Sequence, residues 1–401
     1  MKKVLFISGS IGLGHVTRDL AIADELRRRN PGVAISWLAS SPASDMIKGA
    51  GELLLPEAGQ WADDNLPAEN AALGKGFQLN LLKYLLLARE EWENNVKVFE
   101  QVTEKEPFDL IIGDETYEIA VALKKNPSLK KAFFVAIYDF VGMASMTRNP
   151  KEKLGVYIWN RVWAKGYKKA SRFVDATLFI GEEEDIPDNK LGFLLPNRRT
   201  WARYRDVKFT GYIVPFKPAD YTDKDKIRAR LGYGKEPLVI CSIGGTSVGK
   251  ELLELCGRAF ANARDKIPSL RMILVCGPRL SPESLSLPEG VEARGYVPSL
   301  FEHFAASDLA VIQGGGTTTL ELTALRRPFL YFPLESHFEQ MKFIADRLAR
   351  HQAGIRLLYS RTTPELLGEA IIANIGRKAT WPPIHTDGAQ NAARYINEFL
   401  S

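Results

Sequence analysis

The stretch Gln313-Gly-Gly-Gly-Thr-Thr-Thr-Leu-Glu321 decides the fold of this chain. The apolar residues before it, 309–312, predict a buried strand, and the threonines predict the start of a helix. Backbone N–H groups at a helix start are unpaired, and the helix dipole adds partial positive charge there. The stretch therefore predicts a phosphate-binding turn between a strand and a helix. Glu321 is expected inside the first turn of the helix, where it can accept hydrogen bonds from sugar hydroxyls beside the phosphate.

A tight structural connection is the competing interpretation of these glycines. A second polar pair, Glu339-Gln340, favours the binding site, because it follows the next apolar strand at 329–332.

Strand-like apolar runs alternate with amphipathic helical segments along most of the chain, which predicts parallel sheets with crossover helices. The runs are 4–8, 34–38, 110–113, 132–137 and 176–180, and then 238–243, 272–276, 309–312 and 329–332. The segment Gly211–Pro218 between the two sets is expected to be a linker. We predict an α/β fold with two doubly wound, Rossmann-like domains that face a central cleft. The expected boundaries are 1–212 and 213–380, and 381–401 is expected to form a helix that packs back on the first domain.

The composition argues against a nucleic-acid-binding protein, a disulfide-rich secreted protein and a membrane-spanning protein. The 401 residues are 45% hydrophobic and 25% charged, with a formal net charge of +5, which is typical of a soluble globular protein. The mild positive charge fits an anionic ligand such as a nucleotide, and no nucleic-acid-binding motif is present. Three cysteines, an odd number, indicate reduced core thiols and a cytoplasmic location. No apolar run is long enough to span a bilayer.

A candidate general base follows the first strand. His15 lies in a glycine-rich turn, Gly12-Leu-Gly-His15, that opens a helix. Imidazole titrates near neutrality and can take a proton from a hydroxyl nucleophile. Asp114 follows a later strand at the equivalent edge and could orient this base. The alternatives are that His15 only hydrogen-bonds its turn and that Asp114 only caps a helix.

Several other segments of the sequence resemble known binding motifs only in part. The glycines at 9, 12 and 14 do not have the dinucleotide spacing, which disfavours nicotinamide binding. Gly244-Gly-Thr-Ser-Val-Gly-Lys250 resembles a P-loop but has Glu251 where Ser or Thr should hold magnesium. Its turn contacts a phosphate in one interpretation and is purely structural in the other. Asp223-Lys-Asp225 reads as helix capping rather than as a metal site. His337 and Glu339 are poorly spaced for joint ligation, so no metal site is expected.

Basic residues alternate with aromatic residues in the segment 151–172. A surface helix with inward aromatics is the first interpretation, and a membrane-surface contact that serves a lipid-linked acceptor is the second.

Together these motifs resemble GT-B glycosyltransferases of the UDP-glycosyltransferase family and, more distantly, MurG. The resemblance covers nearly the whole chain. It implies an N-terminal acceptor-binding domain, a C-terminal nucleotide-sugar-binding domain, and inverting transfer from a nucleoside-diphosphate sugar, UDP-sugar being favoured. The partners it implies are this donor and a hydroxylated small-molecule or lipid acceptor. No cofactor is expected to be required. The sequence does not indicate an oligomeric state.

The resemblance also implies roles for individual residues. His15 would be the base and Asp114 its partner, while Tyr296 and Val297 would hold the nucleobase. The remaining donor-binding residues implied are Gly244, Thr246, Gln313, Gly315, Thr317, Thr318, Glu321, Glu339 and Gln340.

The chain departs from the family pattern at several positions. Gln313 replaces a usual histidine, Ser299 a usual glutamine, Phe343 a common asparagine and Glu339 the commoner aspartate. A nucleotide-sugar hydrolase and a non-catalytic nucleotide-sugar-binding protein remain the alternatives.

Overall fold

A computed structural model describes residues 1–9, 12–63, 65–74, 76–169 and 171–400. The strands are β1 (Lys3–Ile7), β2 (Ala34–Leu38), β3 (Leu53–Leu54), β4 (Leu110–Asp114), β5 (Phe133–Tyr138), β6 (Ala176–Ile180), β7 (Lys208–Gly211), β8 (Leu238–Ser242), β9 (Arg271–Val275), β10 (Glu292–Arg294), β11 (Leu309–Gln313), β12 (Phe329–Phe332) and β13 (Ile355–Arg356). The α-helices are α1 (Gly14–Arg29), α2 (Ala43–Gly49), α3 (Asn65–Ala72), α4 (Leu81–Lys105), α5 (Tyr117–Lys125), α6 (Pro150–Ala164), α7 (Arg198–Tyr204), α8 (Lys224–Leu231), α9 (Lys250–Lys266), α10 (Leu300–Ala306), α11 (Gly316–Leu325), α12 (Ala345–His351), α13 (Pro364–Asn374) and α14 (Gly388–Asn397).

The chain forms two compact units. The first contains residues 1–68, 81–215 and 385–401, and the second contains residues 69–80 and 216–384. Each unit is built on one wholly parallel sheet, so the prediction of two Rossmann-like α/β domains is confirmed. Residues 69–80, which the sequence-based boundaries assign to the first domain, group instead with the second unit.

The sheet of the first unit has seven strands in the order β3-β2-β1-β4-β5-β6-β7. Alternate residues of β1 enter two different cores. Val4 and Phe6 pack with residues of α1 and α14, whereas Leu5 and Ile7 pack with residues of α4 and α5. Because successive side chains of a strand point to opposite faces, helices cover both sides of this sheet. The C-terminal helix α14 is part of the first of these cores through Ile396.

The sheet of the second unit has six strands in the order β10-β9-β8-β11-β12-β13. Its central strands β8 and β11 are buried along their whole length. Asp223 caps α8 by accepting a hydrogen bond from the Lys226 N–H at 3.0 Å, which agrees with the capping interpretation of this residue. The three cysteines are buried and none is in a disulfide.

The segment 69–80 is integrated into the second unit by backbone pairing. The Leu79 N–H donates to the Glu335 carbonyl (3.1 Å), and the Glu335 N–H donates to the Phe77 carbonyl (2.9 Å). The Phe77 side chain is 2% exposed, and its ring centroid lies 5.3 Å from that of Tyr359. This segment thus contributes both hydrogen bonds and buried apolar surface to the second unit.

Candidate functional site

His15 and Asp114 lie in contact at the carboxyl edge of the first sheet. β1 and β4 are adjacent and in register, Ile7 opposite Gly113, so the turn after β1 lies beside the end of β4. His15 is the second residue of α1, and its Nδ1 lies 2.9 Å from Asp114 Oδ2. A Cβ at Gly9 would lie 3.1 Å from the Asp114 carbonyl oxygen and 3.4 Å from the imidazole, so the turn has little room for a side chain there. Residues 10 and 11 of the turn lie outside the described residues.

Sequence reasoning gave no role to Arg18, which organises this cluster. Its guanidinium donates to Asp114 Oδ1 at 2.6 Å and Oδ2 at 3.1 Å, and to Asp139 Oδ2 at 2.9 Å. Asp139 follows β5, the neighbour of β4 in the sheet. Arg18 is one helical turn after His15 on α1, so both side chains reach the same edge. The i, i+3 spacing of His15 and Arg18 in the sequence could have indicated that both side chains lie on the same face of α1.

The ionisation of the buried carboxyl groups follows from their partners. Burial raises the pKa of Asp114, but the charge of Arg18 and the interaction with His15 outweigh burial and hold it below the usual range. The pKa of Asp139 is lowered in the same way, since its hydrogen bond to Glu115 and the charge of Arg18 outweigh burial. Burial and the adjacent Asp139 raise the pKa of Glu115 well above its usual value. The surroundings therefore favour the ionised form of Asp114 and Asp139 and the protonated form of Glu115.

The position of the imidazole proton follows from these contacts. Arg18 Nη2 lies 2.8 Å from His15 Nδ1, but it has a stronger acceptor in Asp114 Oδ1 at 2.6 Å. An ionised Asp114 can accept hydrogen bonds but cannot donate one. We therefore assign the imidazole proton to Nδ1. Nε2 then carries the lone pair, with Glu115 Oε2 at 3.8 Å. The side chain of His15 is 15% exposed. A neutral imidazole nitrogen with a lone pair can in general act as a base.

The predicted donor-binding residues follow strands of the second sheet at its carboxyl edge, apart from Gln313, which ends β11. Some lie on loops, whereas Thr317, Thr318, Glu321 and the pair Glu339-Gln340 lie in helical segments. Gly244 and Thr246 follow β8, Tyr296 and Val297 follow β10, and the glycine-rich turn follows β11. These strands are parallel members of one sheet, so their following loops share one edge. The Tyr296 side chain is 46% exposed, as a stacking surface for a base would need, while Val297 is partly buried against the core.

Gln313, the last residue of β11, connects two of these loops. With its amide oriented to satisfy its neighbours, the nitrogen donates to the carbonyls of Val248 (2.8 Å) and Ile243 (3.2 Å). Its oxygen accepts from Gln340 Nε2 at 3.3 Å. Gln313 is therefore a structural link between the loop after β8 and Gln340.

The glycine-rich turn ends at the start of α11. Gly315 is the N-cap residue, and the Thr319 N–H donates back to its carbonyl at 3.2 Å. The N–H groups of the three residues between them, which include Thr317 and Thr318, have no partner within the helix. Glu339 lies close by, since a Cβ at Gly316 would be 3.7 Å from its Oε1. The helix start thus combines N–H donors with a nearby carboxyl group.

Glu321 lies in the second turn of α11, not in the first turn as expected, because it is the sixth residue of a helix that begins at Gly316. The residue is 8% exposed. Burial raises the pKa of its carboxyl to about 8. A carboxyl group in such a site would gain hydrogen-bond donors from a bound polyol.

The loop after β8 binds a carboxylate of the protein itself, the side chain of Glu69. Glu69 Oε1 accepts from the Ser247 N–H (3.0 Å) and from Arg279 Nε (2.7 Å), and Glu69 Oε2 accepts from Arg279 Nη2 (3.0 Å). Burial raises the pKa of Glu69, but the hydrogen bonds from Arg279 and Ser247 outweigh burial and lower it overall. A backbone N–H beside a guanidinium is a combination suited to phosphate oxygens, and here a carboxylate occupies it. Sequence reasoning assigned no role to Glu69 or Arg279.

Neither a cluster of metal-ligating residues nor a membrane-spanning helix is present among the described residues. Within the described ranges, no group of three or more His, Cys, Asp or Glu side chains could hold a metal ion. No helix in the part of the chain that the structure describes has the length and apolarity needed to cross a membrane. Helix α6, from the segment 151–172, keeps Trp159 and Trp163 partly buried and leaves Leu154 and Ile158 59% and 55% exposed.

Comparisons with known proteins address the identity of the chain. Residues 239–381 match the glycosyltransferase family 28 C-terminal domain. An uncharacterized glycosyltransferase of Methanosarcina acetivorans is 25% identical over 379 residues, covering 92% of this chain and 89% of that protein. The UDP-N-acetylglucosamine--N-acetylmuramyl-(pentapeptide) pyrophosphoryl-undecaprenol N-acetylglucosamine transferase of Carboxydothermus hydrogenoformans is 26% identical over 166 residues, covering 40% of this chain and 42% of that protein.

Solved structures share the fold. The crystal structure of the glycotransferase of kitacinnamycin aligns with a TM-score of 0.59 at 16% identity, covering 100% of this chain and 94% of that one. The fold, the matched domain and the similar sequences together confirm the resemblance of this chain to the GT-B glycosyltransferases and support a glycosyltransferase function.

Proposed function

We propose that the protein transfers a sugar from a nucleoside-diphosphate donor to an acceptor hydroxyl, with inversion at the anomeric carbon. The observation that carries this proposal is the His15–Asp114 contact of 2.9 Å at the carboxyl edge of the first sheet. A base with a free Nε2 and a buried, ionised partner is suited to deprotonating a hydroxyl.

In the proposed reaction, His15 Nε2 takes the acceptor proton as the acceptor oxygen attacks the anomeric carbon. The bond between that carbon and the diphosphate oxygen breaks, and the nucleoside diphosphate leaves. Asp114 stabilises the imidazolium that forms, and Arg18 holds Asp114 in place through two hydrogen bonds. The acceptor oxygen attacks the anomeric carbon on the face opposite the leaving diphosphate, so a single displacement inverts the configuration.

The donor half of the proposal belongs to the second unit. The N–H groups at the start of α11, with Gly315, Thr317 and Thr318, would bind the diphosphate and stabilise the charge that develops on it. A dedicated metal cofactor is then not required. Glu321 would bind the ribose, and Tyr296 and the Val297 backbone would bind the nucleobase.

The other loops would bind the rest of the donor. Glu339 and Gln340 would bind the sugar hydroxyls. Gly244 and Thr246 would line the phosphate side, and Gln313 would hold their loop in place through its bonds to Val248 and Ile243.

A UDP-sugar is the donor we propose, because the similar transferase of Carboxydothermus hydrogenoformans uses UDP-N-acetylglucosamine by its name. That protein acts on a pyrophosphoryl-undecaprenol compound, also by its name. A lipid-linked acceptor, a cytoplasmic location and contact with the membrane surface through α6 are parts of the same proposal.

A panel of nucleotide sugars tests the proposal. Each would be incubated with the purified protein, with and without a lipid extract or a hydroxylated small-molecule mixture, while free nucleoside diphosphate is measured. We expect nucleoside diphosphate to be released only when the acceptor is present. The product should have the inverted anomeric configuration by NMR. Release without acceptor would indicate a hydrolase. Calorimetric binding of UDP without release under any condition would indicate a non-catalytic nucleotide-sugar-binding protein.

A further inference from the structure

The first unit contains a recess whose lining is unusually aromatic. It is partly open to solvent and lies between the sheet and helices α5, α6 and α7. The aromatic side chains that line it are Tyr117, Tyr138, Trp159, Trp163, Phe173 and Trp201. Aromatic rings present large flat apolar surfaces and prefer stacked or edge-to-face ring partners. Such a lining favours a flat apolar ligand.

The recess extends away from the candidate active site. Tyr117 is the first residue of α5 and lies near the carboxyl end of β4. Lys124 lies near the other end of α5, and its Nζ is 5.7 Å from the centre of the Phe173 ring. Phe173 precedes β6, which begins at Ala176, so this end of the recess is at the amino edge of the sheet. His15 lies at the carboxyl edge, so the Lys124 end of the recess is away from the candidate active site. The Tyr117 end adjoins that site, because the Tyr117 hydroxyl donates to Glu115 Oε1 at 3.1 Å.

Two cations line the recess, and its fourteen lining residues include no Asp or Glu. Lys124 Nζ donates to backbone carbonyls of Val162 (3.4 Å) and Lys165 (3.2 Å), and Arg205 Nη1 donates to the Lys169 carbonyl (3.2 Å). Burial and the positive charge of Arg205 lower the pKa of Lys124, and burial lowers the pKa of Arg205. The partners that the structure gives these two cations are neutral, so a ligand anion would supply the missing counter-charge.

Trp159 and Trp163 both line the recess. Their indole Nε1 atoms are buried and have no hydrogen-bond partner among the described residues. Because these N–H groups are closed to solvent, a ligand in the recess would contact the indole rings rather than the N–H groups.

We propose that this recess binds a flat, aromatic organic anion, with its ring against Trp159 and Trp163 and its anionic group at Lys124 and Arg205. The ligand class is an aromatic carboxylate or an equivalent monoanion that enters as a single molecule. This site does not depend on the proposed glycosyl transfer, because none of its residues binds the donor or acts as the base.

The probe for the test is 2-naphthoate, titrated into the full-length protein by calorimetry and by quenching of tryptophan fluorescence. Its neutral analogue, 2-naphthalenemethanol, has the same ring without the charge. We expect one equivalent of 2-naphthoate to bind. The double variant Lys124→Gln/Arg205→Gln should bind 2-naphthoate at least tenfold more weakly and the alcohol within twofold of the wild type. Lys153→Gln, which changes an exposed lysine of α6 outside the lining, is the matched control and should bind both as the wild type does.

Filling the recess separates binding inside it from binding elsewhere. Val121→Trp and, as an independent variant, Ser171→Phe place bulk at lining positions and should abolish binding of both compounds. Circular dichroism would verify that each variant is folded. The proposal is overturned if 2-naphthoate does not bind, if it binds the folded filled variants unchanged, or if the double variant loses both compounds equally.

Discussion

Replacing Glu321 with glutamine should change how the stability of the second unit depends on pH. Burial raises the pKa of the Glu321 carboxyl from 4.5 to about 8 in the folded protein. Between these values the folded state binds a proton that the unfolded state has lost. The free energy of unfolding therefore falls as pH rises, at up to about 1.4 kcal/mol per pH unit. Glutamine has no such titration.

The size of the effect follows from the two pKa values. Between pH 6 and pH 8 the wild type should lose about 2 kcal/mol of unfolding free energy that the Glu321→Gln variant keeps. The loss is complete once the pH exceeds the folded pKa. Below the unfolded pKa the acid is protonated in both states and contributes no pH dependence.

Urea unfolding at a series of pH values would measure this difference. Trp381 is the only tryptophan in the second unit, and its indole donates to the Thr323 carbonyl on α11 at 3.0 Å. Fluorine NMR of protein labelled with 5-fluorotryptophan would therefore follow unfolding of this unit alone. Glu369→Gln, at an exposed glutamate of the same unit, is the control. Parallel pH curves for wild type and the Glu321→Gln variant would refute the reasoning.

Two further predictions concern the two anionic clusters. Asp114→Asn removes the negative partner of His15, a charge-assisted hydrogen bond worth about 1.5–3 kcal/mol, so turnover should fall about 100-fold while UDP affinity by calorimetry stays unchanged. Turnover within threefold of wild type would contradict the role of Asp114. Glu69→Gln removes the carboxylate that competes with a phosphate for the Ser247 N–H and Arg279. UDP should therefore bind about tenfold tighter, a gain of about 1.4 kcal/mol. Arg279→Gln should weaken UDP binding by a similar factor. If both variants bind UDP as the wild type does, the phosphate site does not include this loop.

The central strands could be predicted from the sequence because they are apolar on both faces. The nine predicted runs correspond to β1, β2, β4, β5, β6, β8, β9, β11 and β12. The four strands without a prediction, β3, β7, β10 and β13, are the edge strands of the two sheets. Edge strands are short and half-exposed, so they lack the apolar run that marks a central strand. The peptide 208–211 shows the consequence, since β7 ends at the residue where the linker was expected to begin.

The site shows the same division between local and distant information. The positions of His15 and Asp114 follow from one rule, that parallel strands end at a common edge, and the structure places them 2.9 Å apart. Arg18 also contacts Asp139, which lies on the loop after β5. Predicting this contact would have required the order of the strands in the sheet. The Glu69–Arg279 pair joins residues 210 positions apart in the chain, and no periodicity or spacing could indicate it.

The assignment of His15 as the base is tested most directly by the His15→Ala variant. UDP affinity would be measured by calorimetry, and turnover would be measured with the donor and acceptor that the wild type uses. His385→Ala, at an exposed histidine outside the cluster, is the control. We expect wild-type UDP affinity with turnover reduced at least 1,000-fold, about 4 kcal/mol of transition-state stabilisation. Unchanged turnover in the folded His15→Ala variant would contradict the account.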